Sequence, residues 1–211
     1  MTKLELINSA LIIAGAEPLE TLASPAGKAG KVALAQFDIS YKSLIRQHQW
    51  NFAMGREELE ALPTPPTFEY ERQYSLPDDY VRLFSLYDDY GARYSVEGDK
   101  LLTDMPSPVP LVYVKDTPDP VDWDSLFAEA VALNIASKVL FSLTQKMDLA
   151  AAADAKAERA LSRAKWADST ENSGRLISAH QWVASRYGWS PQKDRFHRVT
   201  SPPEEPFPHF P

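Results

Sequence analysis

Apolar residues recur at helical spacing through the first part of the chain. After Thr2-Lys3-Leu4-Glu5, which fits a capping box, Leu4, Ile7, Leu11 and Ala14 form one stripe and Leu6, Ala10 and Ile13 a second. They predict a helix that stops near Gly15 and needs neighbours on two sides. Ser24-Pro25 supplies an N-cap and a first helical position for a second helix, expected mainly over 31–48 because Gly27 and Gly30 weaken its first turns. Its apolar positions are Ala33, Phe37, Tyr41, Leu44 and Ile45. At Gln49-Trp50-Asn51-Phe52-Ala53 the period changes: Trp50, Phe52 and Met54 alternate with smaller or polar residues, the spacing of a strand. Trp50, Phe52 and Met54 are therefore candidate junction residues, where a sheet joins a helical scaffold.

The middle of the chain reads as short strands. Phe68, Tyr70, Arg72 and Tyr74 alternate with Glu69, Glu71 and Gln73 and predict a strand with one aromatic face. Leu76-Pro77-Asp78-Asp79-Tyr80 predicts a turn, followed by a strand over 80–87, a hairpin around Gly98-Asp99 and a strand over 109–115. The expectation is one small antiparallel sheet packed on one side. From Trp123 to Thr144, Leu126, Phe127, Ala130, Leu133, Asn134, Ser137, Leu140 and Phe141 return to helical spacing, and an alanine-rich fourth helix is expected over 148–168. The fold class is thus α+β: a bundle of four helices with a small antiparallel sheet inserted between helices two and three, plus an extended C-terminal arm. The corresponding regions are 1–49, 50–118, 119–173 and 174–211. The arm ends in SPPEEPFPHFP, which cannot be helical or lie inside a sheet, because proline removes amide donors and fixes an extended backbone.

Composition narrows the chemistry. The chain contains no cysteine, which excludes disulfides, thiolate metal sites and a cysteine nucleophile. The apolar run at the N-terminus is interrupted by Glu5 and Asn8 and reads as a helix and not a signal peptide; no uninterrupted apolar segment is expected to reach membrane-spanning length. A net charge of -7 argues against a surface built to grip nucleic acid throughout. The charge is uneven, however. Acids dominate from Glu57 to Asp104, whereas Arg175, Arg186, Lys193, Arg195 and Arg198 face only Asp194 near the C-terminus. Such asymmetry suits self-association.

Candidate catalytic groups are sparse. Asp78/Asp79 and Asp88/Asp89 could pair as glycosidase carboxylates, but adjacent Asp residues at turns are turn formers first. His48, His180, His197 and His209 share no metal-ligand spacing, and His48 beside Trp50 reads as a packed or capping residue. No serine lies in a nucleophile elbow, and Gly27 and Gly30 form no phosphate loop. The basic segment with Trp182, Tyr187 and Trp189 could bind single-stranded nucleic acid by charge and stacking. On helix four, Arg159, Arg163 and Trp166 are candidate subunit-interface residues.

Four stretches in order, INSALIIAGAEPLETL, LIRQHQWNFAMGREELEAL, YSLPDDYVRLFSL and LNIASKVLFSLTQKMDLAAAADAKAERALSRAKWADSTEN, resemble the tail tubular protein A family of short-tailed phages. They cover most of residues 4–172; the chain after Gly174 matches less clearly. The resemblance implies a head-to-tail adaptor of the virion neck, assembled in the host cytoplasm into a ring, typically of twelve copies. It would sit between the portal protein and a tail nozzle of the tail tubular protein B kind, while double-stranded DNA passes through the lumen without specific binding. It implies no catalysis, no cofactor and no membrane partner. Trp182, Tyr187, Trp189, Phe196, Phe207, Phe210, Arg186, Arg195 and Arg198 are then candidates for docking on the portal or a neighbouring subunit. Two other functions compete with this one: a nucleic-acid-binding accessory protein acting through the C-terminal segment, and a glycan hydrolase using the Asp pairs.

Overall fold

The computed structural model describes residues 1–25, 27–86 and 92–171, all within a unit spanning Met1–Asn172. Its elements in order are α1 (Lys3–Ile13), α2 (Gly27–Ile45), β1 (Met54–Leu59), β2 (Arg72–Ser75), β3 (Tyr80–Leu86), β4 (Tyr94–Glu97), β5 (Lys100–Thr103), β6 (Val109–Lys115), α3 (Ser125–Thr144) and α4 (Met147–Thr170). Short 3-10 turns at Asn51–Ala53 and Pro120–Asp122 flank the strands on the side of the helices. The architecture is α+β, with four helices and the strands inserted between the second and third.

Local chemistry sets the helix ends. The Thr2 hydroxyl accepts the Glu5 amide at 3.3 Å and the Glu5 carboxylate accepts the Thr2 amide at 2.8 Å, the reciprocal bonds of a capping box. Asp124 caps α3 by accepting the Leu126 and Phe127 amides at 2.8 and 3.2 Å. The helix α3 packs against α1, α2 and α4 and buries most of its circumference, including Phe127, Val131, Ile135 and Val139. That demand makes it apolar all round, so it is long and apolar enough, by length and composition, to cross a bilayer. Glu129, Asn134 and Lys138 interrupt its apolar run. In α2 the helix starts at Gly27, earlier than the glycines suggest, and ends at Ile45, short of His48. A Cβ on Gly30 would come within 2.6 Å of the Leu19 side chain, so the glycine admits Leu19 to the core. On α1, Ile13 was expected on an apolar stripe but is 45% exposed.

The strands form two three-stranded antiparallel sheets, β1-β6-β3 and β2-β5-β4, where one was expected. The central strand β6 is buried on both faces. Val114 and its partner Met54 join the helical core, while Val109, Leu111 and Tyr113 form a second core with Tyr74, Leu76 and Leu101 from the neighbourhood of the other sheet. The expectation of one-sided packing therefore fails for a physical reason: a strand with alternating faces can serve two cores when both faces are apolar. Gly55 lies opposite Tyr113, and a Cβ there would meet the Tyr113 ring at 2.7 Å.

Two strand expectations also change. Trp50 and Phe52 precede β1, and the 3-10 turn that follows Trp50 and carries Phe52, closed by the Ala53 amide on the Trp50 carbonyl at 2.9 Å, breaks the alternation. The expected aromatic strand shrinks to Arg72–Ser75: Glu69 has a φ of 76°, incompatible with an extended run, and Phe68 is 79% exposed while Tyr74 is fully buried. The strand over 109–115 and the Gly98-Asp99 hairpin appear as expected.

Candidate functional site

The described chain crosses between helices and strands twice, once from α2 to β1 and once from β6 to α3. Both crossings converge on one set of rings. Trp50, fully buried, lies 4.6 Å from the Phe127 ring centroid, and Phe52 lies 5.1 Å from it. On the return crossing Trp123 stands edge-on to Phe127 at 5.1 Å and stacks on Tyr41 at 4.9 Å and Phe37 at 5.9 Å. Such pairs add ~0.5–1.5 kcal/mol each beyond the area they bury. The polar atoms are paired as well: Trp50 Nε1 donates to the Leu44 carbonyl at 3.3 Å, and Trp123 Nε1 donates to the Thr117 carbonyl at 2.6 Å.

Helix α4 clamps the first crossing. Asp168, buried near the end of α4, accepts the Asn51 amide at 2.9 Å, and its own carbonyl accepts Asn51 Nδ2 at 2.9 Å. His48 Nε2 lies 3.1 Å from the second carboxylate oxygen, with its ring edge-on to Trp50 at 4.8 Å. His48 is thus a packed, hydrogen-bonded residue, as its place beside Trp50 suggested. Replacing Asp168 with Ala leaves the Asn51 amide without its acceptor; chemical denaturation is expected to show a loss of about 1–3 kcal/mol, with Asp168→Asn losing less.

Tyr41 ties the second crossing to α2. Its hydroxyl donates to Asp116 Oδ1 at 2.5 Å and accepts the Thr117 amide at 2.5 Å. Burial, and then the Asp116 carboxylate, push the Tyr41 phenol well above its ordinary range. A raised phenol pKa means that the fold favours the protonated form, so its stabilisation is complete below the unfolded pKa of about 10 and is lost as pH rises beyond it. Unfolding free energy measured from pH 8 upward should therefore fall in the alkaline range, and Tyr41→Phe should flatten that fall. Some slope persists in the variant, because burial also raises Tyr74, Tyr80 and Tyr113.

The candidate interface residues Arg159, Arg163 and Trp166 lie on one exposed face of α4, with Trp166 73% exposed and Arg163 donating to Glu129 at 3.2 Å. Trp182, Tyr187, Trp189, Phe196, Phe207, Phe210, Arg186, Arg195 and Arg198 lie outside the described residues, as do Asp88 and Asp89. Asp79 is engaged in structure: it accepts the Tyr113 hydroxyl at 2.9 Å, and its carbonyl accepts the Asp116 amide at 2.6 Å. Among the described residues no group of three or more His, Asp or Glu could hold a metal ion. A cavity of about 460 Å³ opens between α2, α3 and α4, and none of the rings of the joint lines it. A second, of about 230 Å³, lies on the joint beside Phe52, Trp123 and Asp168.

Sequence reasoning found Trp50 and Phe52 but not their counterparts. Trp123 followed a Pro/Asp-rich stretch that signals helix initiation, and Asp168 was one more charge on a polar helix; neither carries a local mark of its distant partner. No protein-family model and no curated protein matches the chain.

Proposed function

We propose that the chain is a structural head-to-tail adaptor of a short-tailed phage, assembled as a ring between portal and tail nozzle with DNA passing through its lumen. The observation that best supports this reading is the joint: both crossings between helices and strands are locked by the same rings around Phe127. A ring that transmits position from one partner to the next needs subunits that do not flex at such a junction. Exposed Glu57, Glu58, Glu60, Glu97 and Asp99 supply acidic surface for a lumen that repels the phosphate backbone. Heterologous contacts between unlike patches close into rings when the rotation permits.

Native mass measurement of the full chain, alone and mixed with its portal, tests the reading. A ring-sized species on the portal is expected. Failure to associate with the portal overturns it. In the assembled ring, truncation after Asn172 should abolish portal docking while leaving far-UV circular dichroism of the body unchanged, since the docking residues are assigned to the arm.

A further inference from the structure

The outer strands of the two sheets present backbone amides and carbonyls that invite another strand. β1, β2 and β3 are guarded. β1 carries exposed Arg56, Glu57 and Glu58. β2 is covered: Ala61 bridges to Tyr74, and the Leu62 amide donates to the Gln73 carbonyl at 2.8 Å. β3 is irregular, its pairing with β6 shifting between Tyr80 and Arg82 and again between Leu83 and Ser85, and the Leu83 amide donates to the Tyr80 hydroxyl at 2.7 Å. Charge, cover and bulges are the protections that edges carry. β4 has neither cover nor bulge among the described residues, and its one charge, Glu97, stands at its end. Tyr94 and Val96 on it are 48% and 39% exposed.

The hairpin fixes which backbone groups of β4 face outward. Gly98-Asp99 joins β4 to β5, so Glu97 and Lys100 exchange both backbone bonds and the pattern alternates back along the strand. Ser95 and Arg93 therefore turn their amides and carbonyls toward β5; the Arg93 carbonyl accepts the Thr103 hydroxyl at 2.8 Å. Tyr94 and Val96 turn theirs outward.

The sequence around Ser95 is self-complementary for an antiparallel partner. A two-fold axis at Ser95 sets Tyr94 opposite Val96, and Arg93 opposite Glu97, of a second copy. Outward backbone groups then meet outward backbone groups, an aromatic side chain lies on a β-branched one, and each base faces an acid. Moving the axis to Val96 would set Tyr94 against Gly98, whose φ of 63° ends the strand; moving it to Tyr94 would set Val96 against Ala92 and part Arg93 from Glu97. In the single chain Arg93 donates to Glu69 at 3.3 Å, but both side chains are more than half exposed, so that pair contributes little and releases Arg93 readily.

We propose that β4 is a self-association edge: two copies pair antiparallel through it about Ser95, joining their β2-β5-β4 sheets into one. The contact is isologous and closes on a pair of copies. It stands apart from the ring reading and concerns the free chain. So short a strand makes a small interface, and the pair forms and dissolves with protein concentration.

The chain has no cysteine, so Ser95→Cys places a single thiol per copy on the axis. Residues opposite each other there lie ~4.5 Å apart between Cα atoms, within disulfide reach. Mild oxidation of the full-length variant at high concentration is expected to give a disulfide dimer, with far lower yield from Ser75→Cys on β2. Sedimentation equilibrium of the unmodified chain should show a dimer that dissociates on dilution. Val96→Pro removes an outward amide without touching the bonds to β5, and should leave a monomer with unchanged circular dichroism. Arg93→Glu and Glu97→Arg should each weaken the dimer about fivefold or more, and mixing the two chains should restore it, because each charge then meets its opposite. A monomer at every concentration overturns the proposal, as do equal disulfide yields from the two cysteine variants and a dimer that is indifferent to Val96→Pro or not rescued by mixing. β4 amides that gain protection from hydrogen exchange only when the portal is added assign the edge to that partner and also overturn it. Failure of the dimer leaves the adaptor reading standing, since portal binding decides that reading.

Discussion

Trp50→Ala is expected to lower the unfolding free energy by about 3–5 kcal/mol, the range for removing a fully buried aromatic from a packed core. The ring is fully buried, contacts Phe127 and Phe52, and hydrogen-bonds back to Leu44, so little of the lost volume can be refilled by its neighbours. Thermal unfolding should fall by roughly 2–4 °C per kcal/mol for a chain of this size. The loss goes beyond stability. Without the indole, the entry to the turn at Asn51–Ala53 loses its contact with Phe127 and only Phe52 still holds the direction in which β1 leaves α2, so under the adaptor reading assembly on the portal should fail at temperatures where the variant is still folded. A variant that is destabilised yet assembles normally would separate the fold from the joint's proposed task.

Trp123→Ala is expected to have an effect of similar size, about 3–5 kcal/mol, on the opposite crossing. It removes the stack on Tyr41 and Phe37, the contact with Phe127, and the 2.6 Å bond to the Thr117 carbonyl. Because Trp50 and Trp123 both lean on Phe127, the two substitutions should not add. A double-mutant cycle in denaturant is expected to return a coupling of ~0.5–3 kcal/mol, the range for residues sharing a partner. A coupling indistinguishable from zero would mean that the two crossings are stabilised independently.

Periodicity made the helices legible because most positions of each apolar stripe meet a neighbouring element, and the capping box at Thr2 and Glu5 marked one boundary to the residue. The strand Val109–Lys115 was legible from its run of β-branched and aromatic residues. Its double burial was not, because a run of apolar residues does not say whether one or two layers cover it. The division into two sheets depends on pairings between strands distant in sequence, such as Gln73 with Leu102 and Glu57 with Leu111. Trp50 announced itself by interrupting a helix. Trp123, equally important to the joint, looked like the first turn of α3, and the tie from Asn51 to Asp168 joins residues more than a hundred positions apart.

The two crossings also constrain how the chain can be made. Residues Met54 and Val114 pair in the sheet, and α1 and α2 each pack more extensively on α3 than on one another. During synthesis, therefore, the first two helices emerge with their main partner still missing and with Phe37, Tyr41 and Ile45 uncovered. Closing so long an intervening segment adds loop entropy only slowly with length, but it places decisive contacts late and raises the mean sequence separation of what must meet. The body should fold more slowly than an up-and-down bundle of equal size, and its exposed half-bundle is the species that chaperones would hold until β6 and α3 have left the ribosome.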